Sequence, residues 1–289
     1  MRAEESYYLG AYQGRPLRKV VAEVAFVILG YAIFLVLALL IWEAVLEHGG
    51  VEFCSVQGAG PGQQTCAWIS AAVYLVPLLP AVLLARSCAG PKPLGRLFSV
   101  DGRIKLAKLG KYTTIALLIY VPLYFIQLGM AGFGGRSLTS VAEEICASYL
   151  IAGAVVLVQS VAEEVFFRGF IPQVIGRFIS NDWVCVATSS LLFTLGHLES
   201  VQTAIVSLVF GVGLAYVCLR TCGIEAAFAL HIVNNLTIYG VEAVLWGTQV
   251  QLGELGVFVL SIACPLLYFL VVTAKHDSNT SSSTEQLLH

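Results

Sequence analysis

At least seven stretches of this chain run for close to 20 residues with almost no charge, and nothing else in the sequence constrains the fold as strongly. A bilayer core is about 30 Å thick, the length of an α-helix of about 20 residues. In lipid, every backbone N–H and C=O must be paired within its own helix or within a closed barrel. Continuous apolar runs exclude the barrel, whose strands alternate. The expected fold is therefore all-α, a polytopic membrane protein with a bundle of about eight transmembrane helices. Composition agrees: charged residues make up only 12% and hydrophobic residues 58%, about half the charge of an ordinary soluble domain. With a net charge of −2 and no basic patch apart from the connecting loops, no nucleic-acid partner is expected.

Reading the runs between charges and Gly/Pro clusters places spans near 20–43, 67–86, 112–131, 145–171, 183–198, 203–220, 225–246 and 255–274. This divides the chain into an N-terminal tail, 1–19, one transmembrane domain, 20–274, and a Ser/Thr-rich tail, 275–289, expected to be disordered. The first run continues past 20 residues without a small-x-small cleavage site and reads as a signal anchor. An even number of spans puts both termini on one side. Every Lys and Arg except Arg136 then falls on that side, so the positive-inside rule makes the chain an integral, multi-pass protein with both ends cytosolic. Glu43, Glu47, Glu143, Glu242 and other acids gather opposite. Eight cysteines show no metal-ligand spacing. Cys54 and Cys66 bracket the first non-cytosolic loop, where a disulfide is compatible with an oxidising compartment.

Ionisable side chains within membrane spans are expensive and mark pathways or reactive sites. The aspartates, Asp101, Asp182 and Asp277, all lie outside the spans, which removes paired-aspartate proteolysis. Gly-x-Ser-x-Gly and His-Glu-x-x-His are also absent. Within the spans stand Glu23, Glu163, Glu164, Arg168, His197, His231, Asn234 and Asn235. Glu23, near the cytosolic end of its span, is expected to snorkel to the surface. Glu164 and Arg168 are four apart and share a helix face, so they are expected to pair. Glu163 points about 100° away from Glu164 and is left without an obvious cation, the position of a desolvated general base. His231 and Asn235 again share one face. Counting helical rise from the turn near residue 181 puts Glu163 and His197 at one depth, whereas His231 lies too close to the turn at Gly223 to fit as well.

In order along the chain stand Glu163-Glu164-Val165-Phe166-Phe167-Arg168, Phe193-Thr194-Leu195-Gly196-His197 and His231-Ile232-Val233-Asn234-Asn235. They fit EExxxR, FxxxH and HxxxN, and the ordered set resembles the CAAX prenyl protease and bacteriocin-processing family, the type II CAAX endoproteases. The resemblance covers about residues 140–246. It implies an eight-helix intramembrane endopeptidase acting on a membrane-associated protein or peptide. It further implies Glu163 as the base that activates a water, His197 as its assistant, and His231 and Asn235 as oxyanion donors. Glu164 and Arg168 would hold the base in place. The residues agree with this, since amide hydrolysis needs a base, a water and a stabiliser of negative charge.

Two mechanisms stay open at this stage. Glu163, His197 and His231 have the ligand composition of many catalytic zinc sites. A metal-free site makes better use of Asn235, a poor zinc ligand and a good hydrogen-bond donor. No cofactor is favoured, and zinc is the alternative. Other readings of the same polar set are a non-proteolytic binding or regulatory protein and a proton-coupled transporter, although no inverted repeat supports the latter.

Overall fold

The structure is a computed structural model that describes residues 6–48, 61–245 without 131, 136, 138, 141, 144, 145, 147 and 148, and 254–286. Ten α-helices are used below: α1 Leu17–His48, α2 Pro61–Leu75, α3 Leu78–Cys88, α4 Leu106–Met130, α5 Ala154–Glu164, α6 Ile171–Phe178, α7 Asp182–Leu195, α8 Val201–Thr221, α9 Glu225–Leu245 and α10 Glu254–Gln286. Among the described residues there is no strand, only an isolated bridge between Ser99 and Gly223. The all-α class is what the continuous apolar runs require.

Five helical segments are long and apolar enough to cross a membrane: Leu17–Glu47, Thr65–Cys88, Leu106–Gly129, Val201–Thr221 and Gly256–Ala274. They make the chain an integral membrane protein. They correspond to the expected first, second, third, sixth and eighth spans. The expected fourth, fifth and seventh are those that carry the three motifs, and each departs from a long apolar helix for a reason visible in the chain. The fourth is broken into α5, a π-helical turn Val165–Phe170 and α6. The fifth, α7, has only 14 residues. The seventh, α9, carries Glu225, His231, Asn234, Asn235 and Glu242 among its 21 residues.

Packing places α9 at the centre. It lies against α4, α5 and α8, and every residue from Gly223 to His231 is buried. A helix buried all round is a core helix. By contrast, α1 packs on α3 and leaves Phe26, Ile33, Leu37 and Ile41 exposed along its length, a lipid-facing surface. Local signals set the helix ends. The Asn181 side chain accepts from the N–H groups of Trp183 (2.9 Å) and Val184 (3.4 Å) to start α7, and Ser200 accepts from Thr203 N–H (3.0 Å) to start α8. At the end of α8, Cys222 takes a left-handed conformation, φ 57°, next to Gly223. Gly169 lets the π turn approach the 3₁₀ turn Leu94–Leu97, since a Cβ there would stand 2.7 Å from Leu97 O.

One expectation about the edges of the chain changes. Glu23 does not snorkel: it is fully buried and accepts from Arg86 Nε at 2.6 Å. Arg86 also donates to Gln173 Oε1 (3.1 Å) and to the Tyr12 hydroxyl (3.0 Å). The reason lies in the N-terminal segment, which is packed from Ser6 onward and covers this network. Tyr7, Tyr8 and Tyr12 are buried, Tyr7 donates to Leu97 O, and Tyr8 donates to Ala215 O at 2.7 Å. Burial pushes the Tyr7 and Tyr8 phenols well above their usual value. At the other terminus the backbone of α10 continues to Gln286, through most of the segment expected to be disordered. Extending an existing helix needs no new nucleus. Cys66 is disulfide-bonded, while Cys54, its expected partner, lies outside the described residues.

Candidate active site

Glu163 and Glu164 end α5 and are 1% and 0% exposed. The π turn begins at the next residue. Such turns insert an extra residue into a helix and are frequent at functional sites. Depth can no longer be counted at 1.5 Å per residue through this segment. The expected fourth span is thus not one straight helix, and His231, which the helical count places at a different depth, meets both carboxylates.

The meeting point is the imidazole of His231, itself 3% exposed. Its Nδ1 is 2.6 Å from Glu164 Oε1, and its Nε2 is 3.9 Å from Glu163 Oε2. An ionised carboxylate only accepts, so Nδ1 carries a proton and donates to Glu164. The rings of Phe210 and Phe193 stand edge-on to the imidazole at 5.4 and 6.1 Å between centroids and limit its rotation. Glu164 Oε2 also faces Arg168 Nε at 3.5 Å. Glu164 therefore holds both Arg168 and His231, a second duty that the four-residue spacing to Arg168 did not reveal.

Phe193 explains why an aromatic residue stands four positions before His197. Its ring lies 4.3 Å from the Arg168 guanidinium carbon, and its carbonyl oxygen is 2.9 Å from His197 Nδ1. Arg168 is fully buried and its nitrogens make no hydrogen bond, so the ion pair and the aromatic face are what accommodate its charge. A carbonyl only accepts, so His197 carries a proton on Nδ1, and its Nε2 is left outside this bond.

Asn235 is held from two sides. Its Nδ2 donates to Ser160 Oγ at 3.2 Å, and its Oδ1 accepts from Asn234 Nδ2 at 3.1 Å. Ser160 in turn donates to Val156 O (3.0 Å), which leaves its oxygen free to accept. One N–H of Asn235 remains for another acceptor. On the neighbouring face of α5, Gln159 Nε2 donates to Glu163 Oε1 at 3.0 Å. Neither Gln159 nor Ser160 was singled out from the sequence. The signal was present, since they stand four residues before Glu163 and Glu164 and so share their faces.

Glu163, His197, His231 and Asn235 line one cavity of about 230 Å³, together with Gln159 and Trp68. Glu164 and Arg168 stand behind it. The arrangement places a carboxylate, an imidazole and an amide donor around one space, the elements of water-dependent acyl transfer. Among the described residues, no three His, Cys, Asp or Glu side chains are grouped to hold a metal ion. Glu163, His197 and His231 share the cavity without forming such a group.

Comparison with known proteins reaches the same helices. The Rce1-like family, described as type II CAAX prenyl endopeptidase Rce1-like, matches residues 145–237. Uncharacterized protein YyaK of Bacillus subtilis (strain 168) is 34% identical over 97 residues, 30% of this chain and 32% of that protein. The match thus spans about a third of the relative's length. No solved structure matches the chain. The family that the three ordered motifs resemble is thus the family whose pattern the site-bearing helices match.

Proposed function

We propose that the chain is an intramembrane endopeptidase of the CAAX-protease type, which hydrolyses a peptide bond in a membrane-associated protein or peptide. The observation that carries this reading is the pair of adjacent buried glutamates around one histidine. Glu164 is committed to His231 and Arg168, while Glu163 faces the cavity. Glu163 takes a proton from a water oriented by His197 Nε2, and the resulting hydroxide attacks the scissile carbonyl carbon. The carbonyl oxygen becomes an oxyanion that accepts from His231 Nε2–H and the remaining Asn235 N–H. Glu163 then passes its proton to the leaving nitrogen as the C–N bond breaks. Donation from Nε2 requires both nitrogens of His231 to be protonated, the state in which Glu163, Glu164, Arg168 and His231 sum to zero charge.

Glu163→Gln keeps the shape of the site and its bond to Gln159 but removes the base. Purified variant protein should fold like the parent and lose at least about a thousandfold in rate on a peptide the parent cleaves. Parent-like turnover by Glu163→Gln would end the assignment. Stoichiometric zinc, lost together with activity under a chelator and restored with it, would replace the metal-free route.

Eight passes with both termini cytosolic remain part of this proposal, resting on the single basic residue, Arg136, that falls opposite the others. A membrane-impermeant thiol reagent applied to intact cells should leave Cys222, at the α8–α9 turn, unlabelled until the membrane is opened. Labelling of Cys222 from outside would invert the orientation.

A further inference from the structure

The two ends of the bundle differ in charge, and the active-site cavity leads to one of them. The first end is tied together by hydrogen bonds between its connections: Val100 N donates to Cys222 O (3.1 Å), Ile224 N to Phe98 O (2.8 Å) and Arg177 Nε to Arg15 O (3.4 Å). The basic residues between Arg86 and Lys111 belong to it. At the second end, Trp68 Nε1 donates to Glu242 Oε2 (2.9 Å), and the hydroxyls of Thr65 and Tyr239 are 2.9 Å apart. Among the described residues, the second end has no Lys or Arg, and Glu43, Glu47, Glu143, Glu199 and Glu242 are exposed there.

From Glu163, the cavity wall continues toward this second end through Trp68, Val206 and Ser261, on α2, α8 and α10, and Trp68 is hydrogen-bonded to Glu242 at that end. Val206 and Ser261 also line a neighbouring cavity of about 520 Å³, whose other walls include Ser200, Gln202 and Val257. These last three are exposed, so the two cavities, which meet at Val206 and Ser261, mark a path from Glu163 toward the surface between α8 and α10. Exposed Glu199 immediately precedes Ser200 at the rim of the path, and exposed Glu242 holds Trp68 on its wall. Inside, Gln159 is 7% exposed, and its Oε1 has no hydrogen-bond partner. An amide oxygen so placed is an acceptor for a backbone N–H.

We infer that the site takes a cationic peptide segment, entering between α8 and α10 from the end opposite the basic loops. This rests on the peptidase reading above. Basic side chains of the segment meet Glu199 and Glu242 while its backbone donates to Gln159 Oε1. The orientation proposed above puts this mouth on the non-cytosolic face. A cleft lined by one sign of charge concentrates the opposite sign, and salt screens the effect over about 10 Å at 0.1 M.

Two fluorescent peptides test this, sharing one apolar segment and flanked by either Lys-Lys or Glu-Glu. Binding is measured by anisotropy on full-length Glu163→Gln protein in detergent, and cleavage on the parent protein. The Lys-flanked peptide should bind about tenfold more tightly at low salt, with the gap closing at high salt. Adding Glu199→Gln and Glu242→Gln should reduce the preference to about threefold or less. Equal binding, preference for the Glu-flanked peptide, no binding of either, or a preference that the two rim substitutions leave intact would overturn the inference. The salt dependence of the protein without rim substitutions keeps the test valid should the rim variant misfold. A Lys-flanked peptide that binds but is never cut counts against the peptidase reading alone, whereas cleavage without charge preference counts against this inference alone.

Discussion

Helices α1 and α9 are both long, mostly apolar and α-helical, yet they meet opposite environments. Most of α1 faces outward, and its large apolar side chains are exposed to what would be lipid. In α9 the first third is buried all round, and His231 and Asn235 are paired inside the bundle. The difference teaches that hydropathy ranks helices by contact with lipid and not by importance to the bundle. The helices that build the site are the short, broken or polar ones, because a site needs carboxylates, imidazoles and amides where lipid tolerates none.

The largest effect that sharpens this contrast is expected at Arg168. Arg168→Ala leaves Glu164 buried with His231 alone, and removing one partner of a buried pair costs about 3–5 kcal/mol. The yield of folded protein and its unfolding midpoint in detergent should both fall, with activity falling alongside. A midpoint equal to that of the parent would mean that the interior around α5 and α9 is less constrained than the contacts of Arg168 imply. The smallest effect is expected on α1. Ile33 is 60% exposed, and Ile33→Ala should change stability in the same assay by less than about 0.5 kcal/mol. A loss at Ile33 as large as that at Arg168 would erase the distinction and place α1 against a protein surface.

Much of the site was legible because helical spacing is local. Glu164 and Arg168 at four residues, His231 and Asn235 at four, and Phe193 and His197 at four each define one face. Gln159 and Ser160 obey the same rule, but neither is ionisable, so neither stands out within an apolar run. Contacts between helices were not legible in that way. Glu164 to His231 spans 67 residues, and Glu23 to Arg86 spans 63. Glu23 looked solvated because the segment that covers it, Ser6 to Tyr12, reads as a polar tail until its tyrosines are seen to be buried.

The sequence by itself determined that the chain is a helical membrane protein, which polar residues stand inside it and in what order the motifs run. Those properties follow from the backbone's need for internal hydrogen bonds in lipid and from 3.6 residues per turn. Only the tertiary structure decided that one imidazole sits between two adjacent carboxylates, that Glu164 holds this imidazole as well as Arg168, and that the cavity leads toward the acidic end. These depend on the break of the expected fourth span into α5, a π turn and α6, and on packing between helices that no local spacing encodes.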